Sequence, residues 1–72
     1  MDVMAGRLRQ LREKCNLSQQ RMGEMIGSTQ SAIAHYEAGR KIPSRDLIVQ
    51  LCKVFDVSAD YLLGLSDDPK RK

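Results

Sequence analysis

Apolar residues recur along this chain at three- and four-residue steps, and nowhere in the strict alternation of a strand. Met4, Leu8, Leu11 and Cys15 make the first stripe, which predicts an amphipathic helix. Asn16 tolerates the left-handed backbone that ends one. Ser18 offers a side-chain oxygen to cap a second helix, "QQRMGEMI", with Met22 and Ile26 inward and Leu17 as a staple ahead of the cap. Gly27 is the next break. Ser28 or Thr29 caps a third helix, "QSAIAHYE", which buries Ile33 and one face of Tyr36 and ends at Ala38 and Gly39. Beyond the loop "GRKIP", Ser44 caps a fourth helix, with Asp46 in the first turn where the helix dipole favours an acid. Leu47, Ile48, Leu51, Cys52 and Phe55 form its stripe, the expected main wall of the core. Ser58 and Asp60 open a short fifth helix, "ADYLLGL". "SDDPKRK" has no apolar period and reads as a frayed tail or the start of a linker. The pattern is all-α: five short helices without an internal repeat.

Seventy-two residues make one domain, and a chain of that size buries only about 60% of its extended surface. A domain over residues 1–66 is expected, followed by a basic tail or linker over 67–72. Two cysteines do not make a disulfide scaffold; Cys15 and Cys52 match no metal-ligand spacing, and the lone His35 cannot complete a site. No metal or cofactor is implied. Reduced thiols, with Cys52 in the core, suit a cytoplasmic protein. No apolar run approaches the ~20 residues of a membrane span, and "MDVMAGRLRQLREK" is too charged for a signal peptide. Catalysis finds no support: no paired acids, no nucleophile with a base partner and no phosphate-cradling glycine loop.

Charge changes the picture through its distribution. Residues 1–45 hold eight bases against four acids, a net of +4, whereas residues 46–69 hold Lys53 against five aspartates, a net of −4. Lys70, Arg71 and Lys72 restore the overall +3. A basic front suggests a polyanionic partner, and an acidic back argues against general stickiness.

The gap between the second and third helices is the informative one. Ile26, Gly27, Ser28 and Thr29 are all that connect them. Two helices joined by so few residues, one a glycine, must cross steeply, the geometry of a helix-turn-helix. In that unit the first helix lies across the DNA backbone and the second enters the major groove, N-terminal residues foremost.

Leu8, Leu11 and Arg12, then "LSQ", then "MIGSTQSAIAHYEAGR", then Pro43, Leu47, Leu51 and "FDVSADYLL" together resemble the Cro/phage-repressor (Xre) family of helix-turn-helix domains, over residues 7 to about 65. The resemblance implies a compact five-helix, lambda-repressor-like DNA-binding domain and a sequence-specific transcriptional regulator in a cytoplasmic, nucleoid-associated setting. It implies base contacts from Gln30, Ser31 and His35. Glutamine can pair bidentately with adenine, serine is permissive, and the histidine could serve a guanine or a phosphate. It implies phosphate contacts from Gln19, Thr29, Arg12, Arg40, Lys41 and Arg45, which fix register without reading sequence. Glu37 is expected to be structural, since an acid on the DNA side repels phosphate, and Tyr36 to pack at the core edge. Gly23 stands where relatives carry alanine, both small enough for close helix approach; Met22 replaces a leucine, and Asn16 a glycine.

One reading helix covers too few base pairs for useful affinity, so a homodimer on a near-palindromic operator is expected, weak in solution or formed on DNA. In similar proteins the pairing contact is C-terminal, and Tyr61, Leu62, Leu63 and Leu65 are more apolar than so small a core needs. A repressor acting by occupancy is the leading reading, with an RNA polymerase contact through the acidic back as a route to activation. The competing reading is an antitoxin-type or adaptor module acting through protein contacts.

Overall fold

The computed structural model describes residues 3–70, and among these it contains five helices and no strand. They are α1 (Val3–Lys14), α2 (Gln19–Met25), α3 (Gln30–Glu37), α4 (Arg45–Phe55) and α5 (Ala59–Leu63). Local chemistry explains the starts. Ser18, Thr29, Ser44 and Ser58 sit in extended backbone ahead of α2 to α5, and each side-chain oxygen accepts the amide N–H three residues on, at Arg21, Ala32, Leu47 and Tyr61. Thr29, not Ser28, is therefore the cap of α3.

The ends are equally uniform. Each helix stops at a left-handed residue, in turn Asn16, Gly27, Gly39, Asp56 and Gly64. The amide after each one reaches back five residues: Leu17 to Arg12, Ser28 to Gly23, Arg40 to His35, Val57 to Cys52 and Leu65 to Asp60. This closure satisfies carbonyls that a helix end leaves without partners and reverses the chain within two residues. α5 accordingly ends at Leu63, two residues before the end of its expected segment.

α1 packs on α3 and α5, α2 on α3, and α4 on α5. Leu8, Met22, Ile33, Leu51 and Leu62 are fully buried where these contacts meet, with Met4, Ile26 and Val57 around them. The fourth helix is less central than its stripe implied. Only Leu51 of that helix is buried, while Leu47, Ile48, Cys52 and Phe55 are half-buried, because α4 flanks the bundle and leaves Val49 and Val54 exposed. Cys15 is exposed rather than inward, since α1 ends at Lys14 and the chain is already turning at Asn16.

Two further expectations are corrected. Leu62 belongs to the core and has no surface to offer a second copy. The segment after α5 is not frayed as far as Lys70. Arg7 stacks over the Tyr61 ring at 4.1 Å from its centroid, donates to the Tyr61 and Ser66 carbonyls, and pairs with Asp67 at 2.9 Å. Ser58 N–H donates to the Pro69 carbonyl at 2.9 Å. Residues 66–70 thus lie back along the domain; Arg71 and Lys72 fall outside the described residues.

Gly23 sets the α2–α3 approach. A Cβ placed on it would lie 2.8 Å from the Thr29 carbonyl carbon and 3.0 Å from its oxygen, against backbone that cannot step aside. The two helices are closer than alanine permits, so glycine and alanine are not equivalent here. Gly23→Ala should cost about 1–3 kcal/mol despite its better helix propensity. Gly6→Ala, at an exposed α1 position with nothing within 4 Å, should instead gain about 0.5–1 kcal/mol. Thermal unfolding of the two variants should therefore move the melting temperature in opposite directions.

Candidate nucleic-acid interface

The α2–α3 corner turns one side of α3 outward. Ile33 points into the core and Tyr36 packs at its edge, as expected. Gln30 and Ser31 are exposed in the first turn, and His35 is half-buried one turn later. Ala34, which carries no polar group and gave the sequence no signal, is half-exposed between them. The Thr29 hydroxyl oxygen accepts from Ala32 N–H at 3.1 Å, which leaves its O–H proton to donate outward. The expected base-reading residues are thus held together on one surface by a helix anchored at both ends.

Behind that surface lies a partly buried charge cluster. Arg12 of α1 grips Glu37 of α3 bidentately, Nε to Oε2 at 2.7 Å and Nη2 to Oε1 at 3.1 Å, and its Nη1 donates to the Leu17 carbonyl at 3.0 Å. The Gln19 amide nitrogen donates to the same Glu37 carboxylate at 3.3 Å. The Glu37 side chain is 6% exposed and that of Arg12 16%. The hydrogen bond to Glu37 raises the Arg12 pKa above its ordinary value, against the lowering effect of burial. A raised cation pKa contributes stability that is lost only as pH rises through it, above arginine's usual range, so the Arg12 contribution is unchanged near neutrality.

This arrangement explains how an acid is tolerated at the end of α3: its charge is neutralised from inside. It also gives Arg12 a different occupation from the phosphate contact expected of it, because three of its N–H groups are committed inward. Gln19 keeps its place at the start of α2, now oriented by Glu37.

Electrostatically the basic half resolves into two groups. Arg7 pairs with Asp67, Arg9 with Glu13, Arg12 with Glu37 and Arg21 with Glu24. Lys14, Arg40, Lys41 and Arg45 are exposed and in no salt bridge among the described residues. Lys14 ends α1, Arg45 opens α4, and the loop that carries Arg40 and Lys41 is tied to α3 by the Arg40 N–H to His35 carbonyl bond at 2.9 Å. Three of the four uncompensated cations of the basic half thus fall in the loop after α3 and at the first residue of α4. No group of three or more metal-ligating side chains exists among the described residues, and no described helix is long and apolar enough to cross a membrane.

Glu37→Gln should leave the half-buried Arg12 without its counter-charge and cost about 1–2 kcal/mol, less than for a fully buried pair. Pairing it with Arg12→Met should recover part of that loss in thermal melts, because no uncompensated charge then remains inside.

Known proteins show the same architecture. A family model described as helix-turn-helix matches residues 8–62. The HTH-type transcriptional regulator YobD of Bacillus subtilis, uncharacterised, is 47% identical over 66 residues, 92% of this chain and 59% of its own length. Repressor protein C2 of Salmonella phage P22 is 33% identical over 61 residues, 85% of this chain and 28% of its own. The chain thus spans little more than half of the first relative. A crystal structure of the P22 c2 repressor in complex with a synthetic operator superposes with a TM-score of 0.81 at 32% identity, covering 88% of this chain and 96% of that one.

Proposed function

The chain belongs to the helix-turn-helix family of transcriptional regulators, and from that premise we propose that it binds a specific double-stranded DNA operator as a repressor. The observation that carries this reading is the exposed polar start of α3, Gln30 and Ser31, on a helix followed by a loop of unpaired cations, Arg40 and Lys41, that is tied back to it at the His35 carbonyl. In the reading proposed, α3 enters the major groove. Gln30 pairs with adenine through N6 and N7, Ser31 approaches an adjacent base edge, and His35 donates to a guanine or a phosphate. Gln19, Thr29, Arg40, Lys41 and Arg45 hold the phosphates on either side and set the register. Arg12 acts on DNA at one remove, through Glu37 and Gln19. The operator bound by the related c2 repressor supports carrying the DNA partner to this chain.

Repression by occupancy needs more contact than one short helix provides, and two copies on a near-palindrome supply it. The domain measures 29 × 24 × 22 Å, so two can sit abreast with reading helices about 34 Å apart, one turn of DNA. The pairing surface we favour is the apolar end made by Leu63, Leu65 and Val3, all exposed, with Tyr61 at its edge. Val3 joins this set because it abuts Gly64, at 3.2 Å from a Cβ placed there. So small a patch suits a dimer that forms on DNA rather than in free solution.

Electrophoretic shifts on operator and random duplex across a salt series test the reading. Gln30→Ala should weaken operator binding by about 1–3 kcal/mol and leave random duplex nearly unaffected; equal weakening on both would remove Gln30 from the base-reading set. Arg40→Ala should lower binding on both and reduce the salt slope by about one. Absence of salt-dependent binding by the unaltered chain would overturn the DNA reading in favour of a protein-binding module. Leu65→Ser should leave binding to a single half-site intact while reducing affinity for the paired site. Unchanged affinity on the paired site would move the pairing surface elsewhere.

A further inference from the structure

Ile42 is 78% exposed, the most of any large apolar side chain among the described residues, yet it lies within the basic loop after α3. Three constraints hold it there. The loop is fastened on one side by the bonds from Gly39 N–H to the Tyr36 carbonyl and from Arg40 N–H to the His35 carbonyl, at 3.1 and 2.9 Å. On the other side Pro43 is buried and Ser44 caps α4. The residue before a proline is also driven to extended backbone, which a β-branched side chain accepts readily. Ile42 cannot reach the core without unseating Pro43, so the fold presents an apolar surface to water at a fixed place.

Its neighbours indicate what covers it. Arg40 and Lys41 precede it, Arg45 follows, and all three are exposed and outside any salt bridge among the described residues. A surface this cationic repels another copy of itself and attracts a polyanion. On a nucleic acid, the apolar surface lying between successive phosphates is the C–H face of the sugar. We propose that Ile42 packs against a deoxyribose of the DNA backbone while the flanking bases hold the phosphates on either side, which adds an apolar, salt-independent component to binding. This rests on the DNA-binding reading above and names a contact that reading did not include.

The test separates the two. Labelled operator and labelled random duplex are titrated with the full chain, unaltered and as Ile42→Ala, at several salt concentrations. The expected result is a loss of about three- to tenfold on both duplexes at every salt concentration. The slope of log K against log salt should be unchanged, because no counterion release is lost with an apolar contact. The melting temperature should not fall, since the side chain is outside the core. Unchanged binding on both duplexes would overturn the proposal while leaving the DNA-binding function standing. A flattened slope would also overturn it, by showing that Ile42 acts through the placement of Arg40 and Lys41. Loss confined to paired half-sites, with single half-sites bound as before, would overturn it in favour of a contact between copies. No binding by the unaltered chain would remove both proposals together.

Discussion

The α2–α3 corner is the constraint on which the rest of this small domain depends. The Gly23 backbone meets the Thr29 carbonyl so closely that no side chain fits between them, and Ser28 N–H closes on the Gly23 carbonyl at 2.7 Å. Gly27 makes the reversal possible by adopting φ of 73°, where a Cβ would be strained. These contacts fix the angle at which α3 leaves α2, and through it the direction of Gln30, Ser31 and His35. A corner built from backbone has few soft degrees of freedom. The exposed face of α3 is thereby ordered in the free protein, and a partner that binds it would lose less conformational entropy.

The second constraint is electrostatic. Glu37 ends the helix that carries Gln30, Ser31 and His35, and an unpaired carboxylate there would oppose a phosphate backbone. Arg12 comes from α1, twenty-five residues earlier, and neutralises it within the protein, while Gln19 shares the carboxylate from α2. One buried acid thus joins three helices and orients the amide at the start of α2. A buried ion pair is a poor source of net stability, since desolvation offsets most of the attraction. Its consequence here is register: the three helices that form the reading surface cannot slide without separating charges away from water. Four of the eight bases of the N-terminal half are engaged in ion pairs, most of them exposed, so the uncompensated positive charge comes from fewer residues than the composition suggests.

Much of the fold was legible in the chain because the signals are local. Ser18, Ser44 and Ser58 cap where their spacing to the apolar runs said they would, and Asn16 and Gly27 close helices with hydrogen bonds that span five residues. The exposure of Gln30 and Ser31 agrees with what the family resemblance implied for them. Other features were not legible. Leu62, Leu63 and Leu65 are alike as letters, yet Leu62 is fully buried while Leu65 is 76% exposed. Gly23 looked interchangeable with alanine until the Thr29 backbone was seen against it. Cys15 continued an apolar stripe beyond the point where the helix had ended. Ile42 was hidden inside a loop whose charges drew the attention.

By itself, then, the chain determined the number and order of the helices and the caps that open most of them, since caps and a 3.6-residue period are settled by neighbours within a few positions. Only the tertiary structure decided which apolar groups are covered and which charges are neutralised. Those outcomes depend on atoms brought together from far apart, as when Arg7 meets Asp67 across sixty residues and folds back a segment with no pattern of its own. Burial and pairing are properties of the assembled surface, and no local spacing encodes them.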